Sequence, residues 1–248
     1  MPPADAGALS PAAPHSPLLL ITGASQGIGA AIARRFASSL PGCRLALVAR
    51  NAAKLQAVAD DCSTSAQAVG FPTDLSVPAQ VSLMANDVQA RWGTPDVLIN
   101  VAGWWRGGPA HELSVEDFAA VLNANLLSCF AVTRAFLPAM IARRHGDIFN
   151  MSSTAGLQGF AGNVAYCAAK FGVTGLTAAL RQELREHGIR VCCVHPGPTL
   201  SPSWDGTGIA AERLMPAEDV AQAFLDIYRL SRNTVVEEIV LRPQLGDI

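Results

Sequence analysis

Short apolar runs alternate with longer segments of helical periodicity along almost the whole chain. The apolar runs show no regular polar alternation, which is typical of strands covered on both faces. They lie at Leu18–Ile21, Leu45–Val48, Gln67–Phe71, Val97–Ile99, Ile148–Met151, Arg190–Val194 and Val235–Leu241. Helices are predicted between them, at Ala30–Leu40, Ala52–Asp60, Ala79–Trp92, Phe118–Arg144, Val164–His187 and Ala217–Leu230.

This order of elements predicts an α/β fold with a doubly wound parallel sheet of about seven strands. Parallel strands need crossover connections, and the predicted helices supply them on both faces of the sheet. No linker composition divides residues 18–248, so we expect a single domain. The Pro- and Ala-rich residues 1–17 are expected to form a loosely ordered leader. Pro138 falls inside a predicted helix and should bend or break it.

Composition and charge narrow the classes of function. Half of the 248 residues are hydrophobic, 15% are charged and the formal net charge is −2, so disorder and nucleic-acid binding are both disfavoured. No uninterrupted apolar run reaches the roughly 20 residues of a membrane span. The six scattered cysteines include no Cys-x-x-Cys pair and no metal-ligand spacing, which indicates reduced, buried thiols and a cytoplasmic protein without a metal.

A glycine-rich turn follows the first strand and opens the first helix. Its residues are Gly23, Ala24, Ser25, Gln26, Gly27, Ile28 and Gly29. Glycines let the backbone approach a pyrophosphate, and the free N–H groups of a helix N-terminus bind its negative charge. The spacing Gly-x-x-x-Gly-x-Gly differs from the commonest dinucleotide fingerprint, and an ordinary glycine-rich turn is the alternative. We predict that this turn binds a dinucleotide.

The residues after the second and third strands bear on the choice of dinucleotide. An acid after the second strand would accept hydrogen bonds from the ribose 2′-hydroxyl, but the chain has Ala49 and Arg50 there. A guanidinium suits a 2′-phosphate, so NADP(H) is favoured over NAD(H), with a solvated surface arginine as the alternative. Asp74, followed by Leu75, is predicted to bind the adenine amino group, or else to cap the next helix.

Tyr166 and Lys170 lie four residues apart on one predicted helix and share a face. A free tyrosine has a pKa near ~10, and a nearby cation favours its ionised form. Such a pair, beside a bound nicotinamide, would serve acid–base chemistry. By itself the Tyr-x-x-x-Lys spacing is weak, because most such pairs decorate helix surfaces.

The combined motifs resemble those of the short-chain dehydrogenase/reductase family, whose Rossmann-like fold binds nicotinamide dinucleotides. The resemblance extends from about Leu18 to about Pro243. It rests on the glycine-rich turn, Asp74, Asn100-Val101-Ala102-Gly103, Asn125, Ser153 thirteen residues before Tyr166, Lys170 and Pro196-Gly197.

The resemblance implies a role for each catalytic position. Tyr166 would be the general acid that protonates a carbonyl oxygen, or the base in the reverse direction. Lys170 would lower the pKa of Tyr166 and hold the nicotinamide ribose. Ser153 would orient the carbonyl and stabilise its developing charge. Asn125 would hold a water that links Lys170 to solvent.

Two alternatives and three departures from the family pattern accompany these assignments. Asn123 and Ser152 are the alternatives to Asn125 and Ser153. Val101 replaces a common asparagine, the stretch from 199 to 216 is short for a lid, and the usual Asp-Gly-Gly ending is missing. The remaining cofactor contacts implied are Asn100, Ala102, Gly103, Pro196, Gly197 and Thr199.

Aromatic residues are candidates for a substrate pocket. Trp104 and Trp105 follow the fourth strand at the edge where ligands bind in such sheets, although packing of a loop onto the body would also explain them. Gln158, Phe160 and Trp204 join them by family position, together with Ser153.

We therefore predict an NADP(H)-dependent oxidoreductase that acts on a small carbonyl or alcohol substrate. An NAD-dependent alcohol dehydrogenase and a non-catalytic dinucleotide sensor are the alternatives. The segments Phe118–Arg144 and Val164–His187 resemble helices that pair between subunits in this family, so a homodimer or homotetramer is expected.

Overall fold

The computed structural model describes residues 16–248, so residues 1–15 of the predicted leader lie outside it. Seven parallel strands form the central sheet. They are β1 (Leu18–Thr22), β2 (Arg44–Ala49), β3 (Gln67–Pro72), β4 (Val97–Asn100), β5 (Gly146–Met151), β6 (Ile189–Pro196) and β7 (Glu238–Leu241). Their order is β3-β2-β1-β4-β5-β6-β7, which reverses direction between β1 and β4 and opens a crevice at the carboxyl edge. The predicted fold class is confirmed.

Helices cover both faces of the sheet. They are α1 (Gly27–Ser39), α2 (Ala52–Cys62), α3 (Pro78–Trp92), α4 (Val115–Leu122), α5 (Ser128–Arg143), α6 (Val164–Leu184) and α7 (Ala217–Arg229). Leu19 and Ile21 of β1 pack into one core with Phe36 and Phe224, whereas Leu18 and Leu20 pack into the other. Successive residues of a strand point to opposite faces, which is why an unbroken apolar run predicts a strand buried on both sides.

The predicted helix Phe118–Arg144 is wrong in its start and in its regularity. Helical structure begins at Val115, where the Ser114 hydroxyl accepts a hydrogen bond from the Asp117 N–H at 3.0 Å. A π-helical turn, residues Asn123–Leu127, then separates α4 from α5. The first turn is exposed, so its residues do not follow the apolar spacing used to predict the helix. The π-helical turn contains an extra residue, which a 3.6-residue period does not predict.

Pro138 lies inside α5 and does not end it, contrary to the predicted break. Pro138 faces solvent, where water can satisfy the carbonyl that loses its helical partner. By length and composition the whole run Val115–Arg143 could cross a membrane, with 39% of its apolar window buried. Core helices have the same composition, and Phe136 and Met140 are fully buried against the sheet.

The last strand is shorter than the predicted Val235–Leu241, because pairing with β6 begins only at Glu238. Arginine side chains bind carbonyls just before it, although the Glu237 carbonyl also accepts from the Cys193 N–H of β6 at 2.9 Å. Arg181 donates to the Glu237 carbonyl at 2.6 Å, and Arg190 donates to the Thr234 carbonyl at 3.2 Å. All six cysteines are buried and free, as predicted.

Candidate active site

The glycine-rich turn forms an open anion cradle at the start of α1. Gly27 has φ +55°, a conformation that glycine adopts without strain, and a Cβ on Gly29 would lie 2.3 Å from the Gly23 carbonyl oxygen. No side chain caps α1 and no acid lies in its first turn. Its first N–H groups therefore remain available to a phosphate.

Two adjoining cavities, of about 430 and 370 Å³, run along the carboxyl edge of the sheet. We call them the adenosine cavity and the nicotinamide cavity after the ends of the dinucleotide that they would hold. They share Gly23, Gln26, Ala102, Gly103 and Trp104. Ser25, Arg50, Asp74 and Leu75 line only the adenosine cavity, whereas Gly27, Ile28 and Gly29 line only the nicotinamide cavity.

The adenosine cavity has two cationic side chains at its outer end. Arg50 is exposed there, and Lys54 donates from Nζ to Gln26 Oε1 at 3.0 Å. Asn51 holds α2 in place, because its Oδ1 accepts from the Lys54 backbone N–H at 2.9 Å. Asn51 and Lys54 were not predicted from the sequence. Their position just after Arg50, at the start of α2, was the available signal.

Asp74 lies in this cavity but does not cap the next helix, which begins at Pro78 after Val77. Its carboxylate accepts from the Ser76 hydroxyl at 2.6 Å and from the Ser76 N–H at 3.0 Å. These hydrogen bonds hold the pKa of Asp74 below its ordinary value, and Arg50 adds a smaller effect in the same direction. Asp74 is thus kept as an acceptor.

Lys170 and Tyr166 lie on the same face of α6 beside the nicotinamide cavity. Lys170 is only 2% exposed, and its ammonium donates to the Met151 carbonyl at 2.9 Å. Its Nζ lies 5.5 Å from the centroid of the Tyr166 ring, which remains partly exposed to the cavity. Both side chains therefore lie on one face of the helix, as their four-residue spacing predicts.

Asn125 lies in the π-helical turn with one buried acceptor left over. Its Nδ2 donates to the carbonyls of Val121 at 2.9 Å and Trp104 at 2.8 Å, while its buried Oδ1 has no partner. A Cβ on Gly103 would lie 2.3 Å from that oxygen and 3.8 Å from Lys170 Nζ. The asparagine acceptor and the ammonium thus border the same small space, where a water would have partners on both sides.

Ser153 and Ser152 differ in what their hydroxyls do. The Ser153 Oγ accepts one bond from the Ala155 N–H at 3.1 Å and lines the nicotinamide cavity. Ser152 is buried, and its hydroxyl donates to the Lys170 carbonyl at 2.9 Å. Asn123, the alternative to Asn125, lines the adenosine cavity and donates to the Ser76 carbonyl at 3.3 Å. Ser152 also borders the nicotinamide cavity, but its hydroxyl is bonded to Lys170, whereas Asn125 borders that cavity and Asn123 the other one.

Two predicted site residues lie away from both cavities. The Asn100 side chain points into the core, where its Nδ2 donates to Thr133 Oγ1 at 3.0 Å and Asn150 Oδ1 at 2.9 Å. Because successive strand residues point to opposite faces, the Asn100 side chain points toward α5. The Thr22 hydroxyl accepts from the N–H groups of Val101 and Ala102, which follow Asn100. Gln158 is exposed on a loop outside both linings.

The other end of the nicotinamide cavity combines the turn after β6 with aromatic residues. Pro196, Gly197 and Thr199 line it, as do Trp104, Trp105, Phe160 and Trp204. The Thr199 hydroxyl donates to the Gly197 carbonyl at 2.9 Å. Lining residues that were not predicted from the sequence include Met151 at the end of β5, and Asn163, Ser201, Thr207 and Ile248 in loops whose paths only the fold defines.

The fold and the site define a dinucleotide-binding protein of the oxidoreductase type. A family model described as short chain dehydrogenase matches residues 17–208, and the chain belongs to the short-chain dehydrogenase/reductase family. Sepiapterin reductase of Chlorobaculum tepidum is 36% identical over 238 residues, which cover 93% of this chain and 98% of that protein.

Two solved structures are similar over nearly their whole length. One is a variant of actinorhodin polyketide ketoreductase with NADPH, with a TM-score of 0.85, 29% identity and coverage of 94% of this chain and 98% of that one. The other is a metagenomic short-chain oxidoreductase in complex with NADP, with a TM-score of 0.79, 35% identity and coverage of 93% and 98%.

Proposed function

We propose that the protein is an NADP(H)-dependent oxidoreductase that interconverts a carbonyl compound and its alcohol, with Tyr166 as the general acid–base. The observation that carries this proposal is the convergence of Tyr166, Ser153 and the buried Lys170 on one cavity. The glycine-rich cradle lines that same cavity and also borders the adjoining adenosine cavity. When bound, the nicotinamide supplies or accepts the hydride.

The side chains divide the remaining work between them. Ser153 donates to the substrate oxygen and stabilises the charge that develops there. Tyr166 delivers its phenolic proton to the same oxygen, and the buried ammonium of Lys170 favours the phenolate that remains. Asn125 Oδ1, buried and without a protein partner, accepts from a water beside Lys170 that returns a proton to the site.

The preference for NADP(H) rests on the charges of the adenosine cavity. Arg50 and Lys54 lie where β2 ends and α2 begins, and no acid occupies positions 49–54 to accept from a ribose hydroxyl. Two cations at this place suit a 2′-phosphate. Two of the similar structures hold NADPH or NADP, which agrees with this preference.

We also propose a homo-oligomer that buries the outer face of α5 and α6. Large apolar side chains are left half exposed there: Leu127 at the end of the π-helical turn, Phe130 on α5 and Phe171 on α6. Such a patch marks an interaction surface. Phe171→Glu should convert the oligomer to monomers in light scattering, and an unchanged mass would exclude this face.

We also propose a cytoplasmic location, because all six cysteines are buried and free, which suits a reducing compartment.

A hydride-tracing experiment tests the proposed function. The protein is incubated with NADPH deuterated at C4 and a panel of neutral aldehydes and ketones, and the alcohols are examined by mass spectrometry. We expect deuterium on the carbinol carbon and tighter binding of NADPH than of NADH. Binding of NADPH without turnover of any panel member would instead identify a dinucleotide sensor. Tighter binding of NADH would identify an NAD-dependent dehydrogenase.

A further inference from the structure

The nicotinamide cavity has almost no charge on its walls. Within residues 16–248, Lys170 is the single lining residue with a charged side chain, and its ammonium is buried against the Met151 carbonyl. The adjacent Arg106 is paired with Asp117 at 2.9 Å. A carboxylate or phosphate on the substrate would therefore lose its hydration without gaining a countercharge.

Aromatic rings occupy the walls instead. Trp104, Trp105, Phe160 and Trp204 all line the cavity beside Tyr166, and the two adjacent tryptophans are 37% and 54% exposed. Tryptophan faces exposed in a cleft offer flat, polarizable surfaces on which a planar ring can stack.

Both adjacent tryptophans are fixed to catalytic elements. The Trp105 indole N–H donates to Asn163 Oδ1 just before α6, and a Cβ on Gly107 would lie 2.4 Å from the Trp105 ring. The Gly108 N–H also donates to the Gly162 carbonyl at 2.8 Å, which ties the two loops together. The Trp104 carbonyl accepts from Asn125 Nδ2. These contacts fix the Trp105 ring against the start of α6, and the Trp104 backbone against Asn125, before any substrate binds.

We infer that the substrate is a neutral, flat aryl ketone or aldehyde whose ring lies between the tryptophans and Tyr166. This inference rests on the proposed function. In the reduction the carbonyl carbon gains a hydride from the reduced cofactor, and the carbonyl oxygen gains the Tyr166 proton as its π bond to carbon breaks. The products are a benzylic alcohol and the oxidised dinucleotide.

Three matched ketones separate ring shape from charge. Acetophenone is the test compound, cyclohexyl methyl ketone has the same carbon skeleton without a flat ring, and 4-acetylbenzoate adds a carboxylate. The wild type should bind acetophenone tightest in the presence of NADP⁺, as measured by saturation-transfer NMR. The kcat/KM for 4-acetylbenzoate should fall about tenfold or more below that for acetophenone, because its charge is desolvated without a partner.

Replacement of the tryptophans tests the stacking itself. Each aromatic pair contributes ~0.5–1.5 kcal/mol, so the double variant Trp104→Leu/Trp105→Leu should lower the acetophenone to cyclohexyl methyl ketone ratio of kcat/KM about tenfold. Trp105→Tyr should retain most of the ratio, and Leu157→Ala, outside the cavity, should leave it unchanged. An unchanged ratio in the double variant, with unchanged NADPH affinity, would refute the aryl substrate and leave the proposed oxidoreductase intact.

A second inference comes from His195 at the end of β6. This imidazole is fully buried, and its Nδ1 lies 3.2 Å from the Ser153 backbone carbonyl oxygen. A carbonyl oxygen can only accept, so Nδ1 is the donor. The other nitrogen, Nε2, has no hydrogen-bond partner, and a Glu238 carboxylate oxygen lies 3.4 Å away.

We infer that His195 is a positioning residue that holds the backbone of Ser153. The Nδ1 bond joins the end of β6 to the turn that carries the Ser153 hydroxyl, and the Glu238 carboxylate of β7 lies 3.4 Å from Nε2 on the other side of the ring. A serine that stabilises developing charge must be placed within a fraction of an ångström, so loss of this tie should affect turnover more than binding.

Asparagine can supply the same donor, because its Nδ2 overlaps the position of Nδ1. His195→Leu should therefore lower kcat about tenfold, with KM and NADPH affinity within about twofold, and His195→Asn should recover most of kcat. Thermal unfolding of both variants measures any general loss of structure. Equal kcat values for His195→Leu and His195→Asn at equal stability would overturn the positioning role. Glu238→Gln provides a milder second variant and should lower kcat less than His195→Leu.

Discussion

The amino and carboxyl edges of the central sheet differ in whether their buried polar groups have hydrogen-bond partners. At the amino edge, buried carboxylates are paired with arginine side chains and a backbone N–H: Asp147 accepts from Arg190 at 2.6 Å and from Arg232 at 2.9 Å. Asp96 accepts from the Leu18 N–H at 2.7 Å and pairs with Arg143 at 3.0 Å. These bonds tie β1, β5 and β6 to the loops below them.

At the carboxyl edge, buried acceptors and donors are left over. Within residues 16–248, the buried side-chain atoms without a hydrogen-bond partner include Asn125 Oδ1, which borders the nicotinamide cavity, and His195 Nε2, one residue before the lining residue Pro196. An unpaired buried polar atom costs stability unless a water or a ligand completes it. The comparison therefore assigns stability to the paired edge and ligand binding to the unpaired one.

Tyr166→Phe should have the largest effect and should be confined to activity. A positioned general acid contributes ~10²–10⁴-fold, so we expect kcat to fall about 10³-fold. NADPH affinity and unfolding temperature should stay close to wild type, since the hydroxyl makes no hydrogen bond within residues 16–248. The other tyrosine, Tyr228, is partly buried beside Phe36 and provides the matched control. Appreciable turnover by Tyr166→Phe would exclude Tyr166 as the acid.

Asp147→Ala should show the opposite behaviour, with a large loss of stability and little loss of activity. Removing one partner of a buried ion pair costs ~3–5 kcal/mol, and we expect the lower value because Arg232 is partly exposed. Denaturant unfolding measures this loss. Asp61→Ala, which breaks the exposed pair with Arg34, should cost ~0–1 kcal/mol. If Asp147→Ala lowered kcat at a temperature where it stays folded, the division between the two edges would fail.

Sequence patterns predicted which elements form the carboxyl edge of the sheet, but not the direction of every side chain there. The alternation of apolar runs and helices predicted the sheet. The four-residue spacing predicted that Tyr166 and Lys170 share one face of a helix, because helical geometry is local. Asn100 was assigned to the cofactor from the family resemblance, but only the register with β5 shows that its side chain points to Asn150. The π-helical turn around Asn125 depends on tertiary packing and has no periodic signature.

Arg50→Ala tests the charged end of the same edge. Loss of a charge-assisted contact to the 2′-phosphate should weaken NADPH binding about tenfold, or ~1.4 kcal/mol, while NADH binding changes less than about twofold. Lys54→Ala should weaken NADPH less, because Lys54 also bonds Gln26. Titration of cofactor fluorescence measures each affinity, and Arg35→Ala, on the exposed face of α1, is the control. Equal weakening of NADPH and NADH would remove the 2′-phosphate assignment.

The smallest expected effect concerns the pH dependence of cofactor affinity. Hydrogen bonds from Ser76 hold the pKa of Asp74 below its ordinary value, so the carboxylate remains an acceptor until the pH falls through that lowered pKa. If Asp74 accepts from the adenine amino group, NADH affinity should decline only in that acidic range. Ser76→Ala removes the stronger bond and should move the decline to higher pH, whereas Asp74→Asn should abolish it. NADH is the proper ligand because it lacks a 2′-phosphate, whose own titration would overlap. A pH profile that Ser76→Ala leaves unshifted would show that Asp74 shapes the loop and does not bind the cofactor.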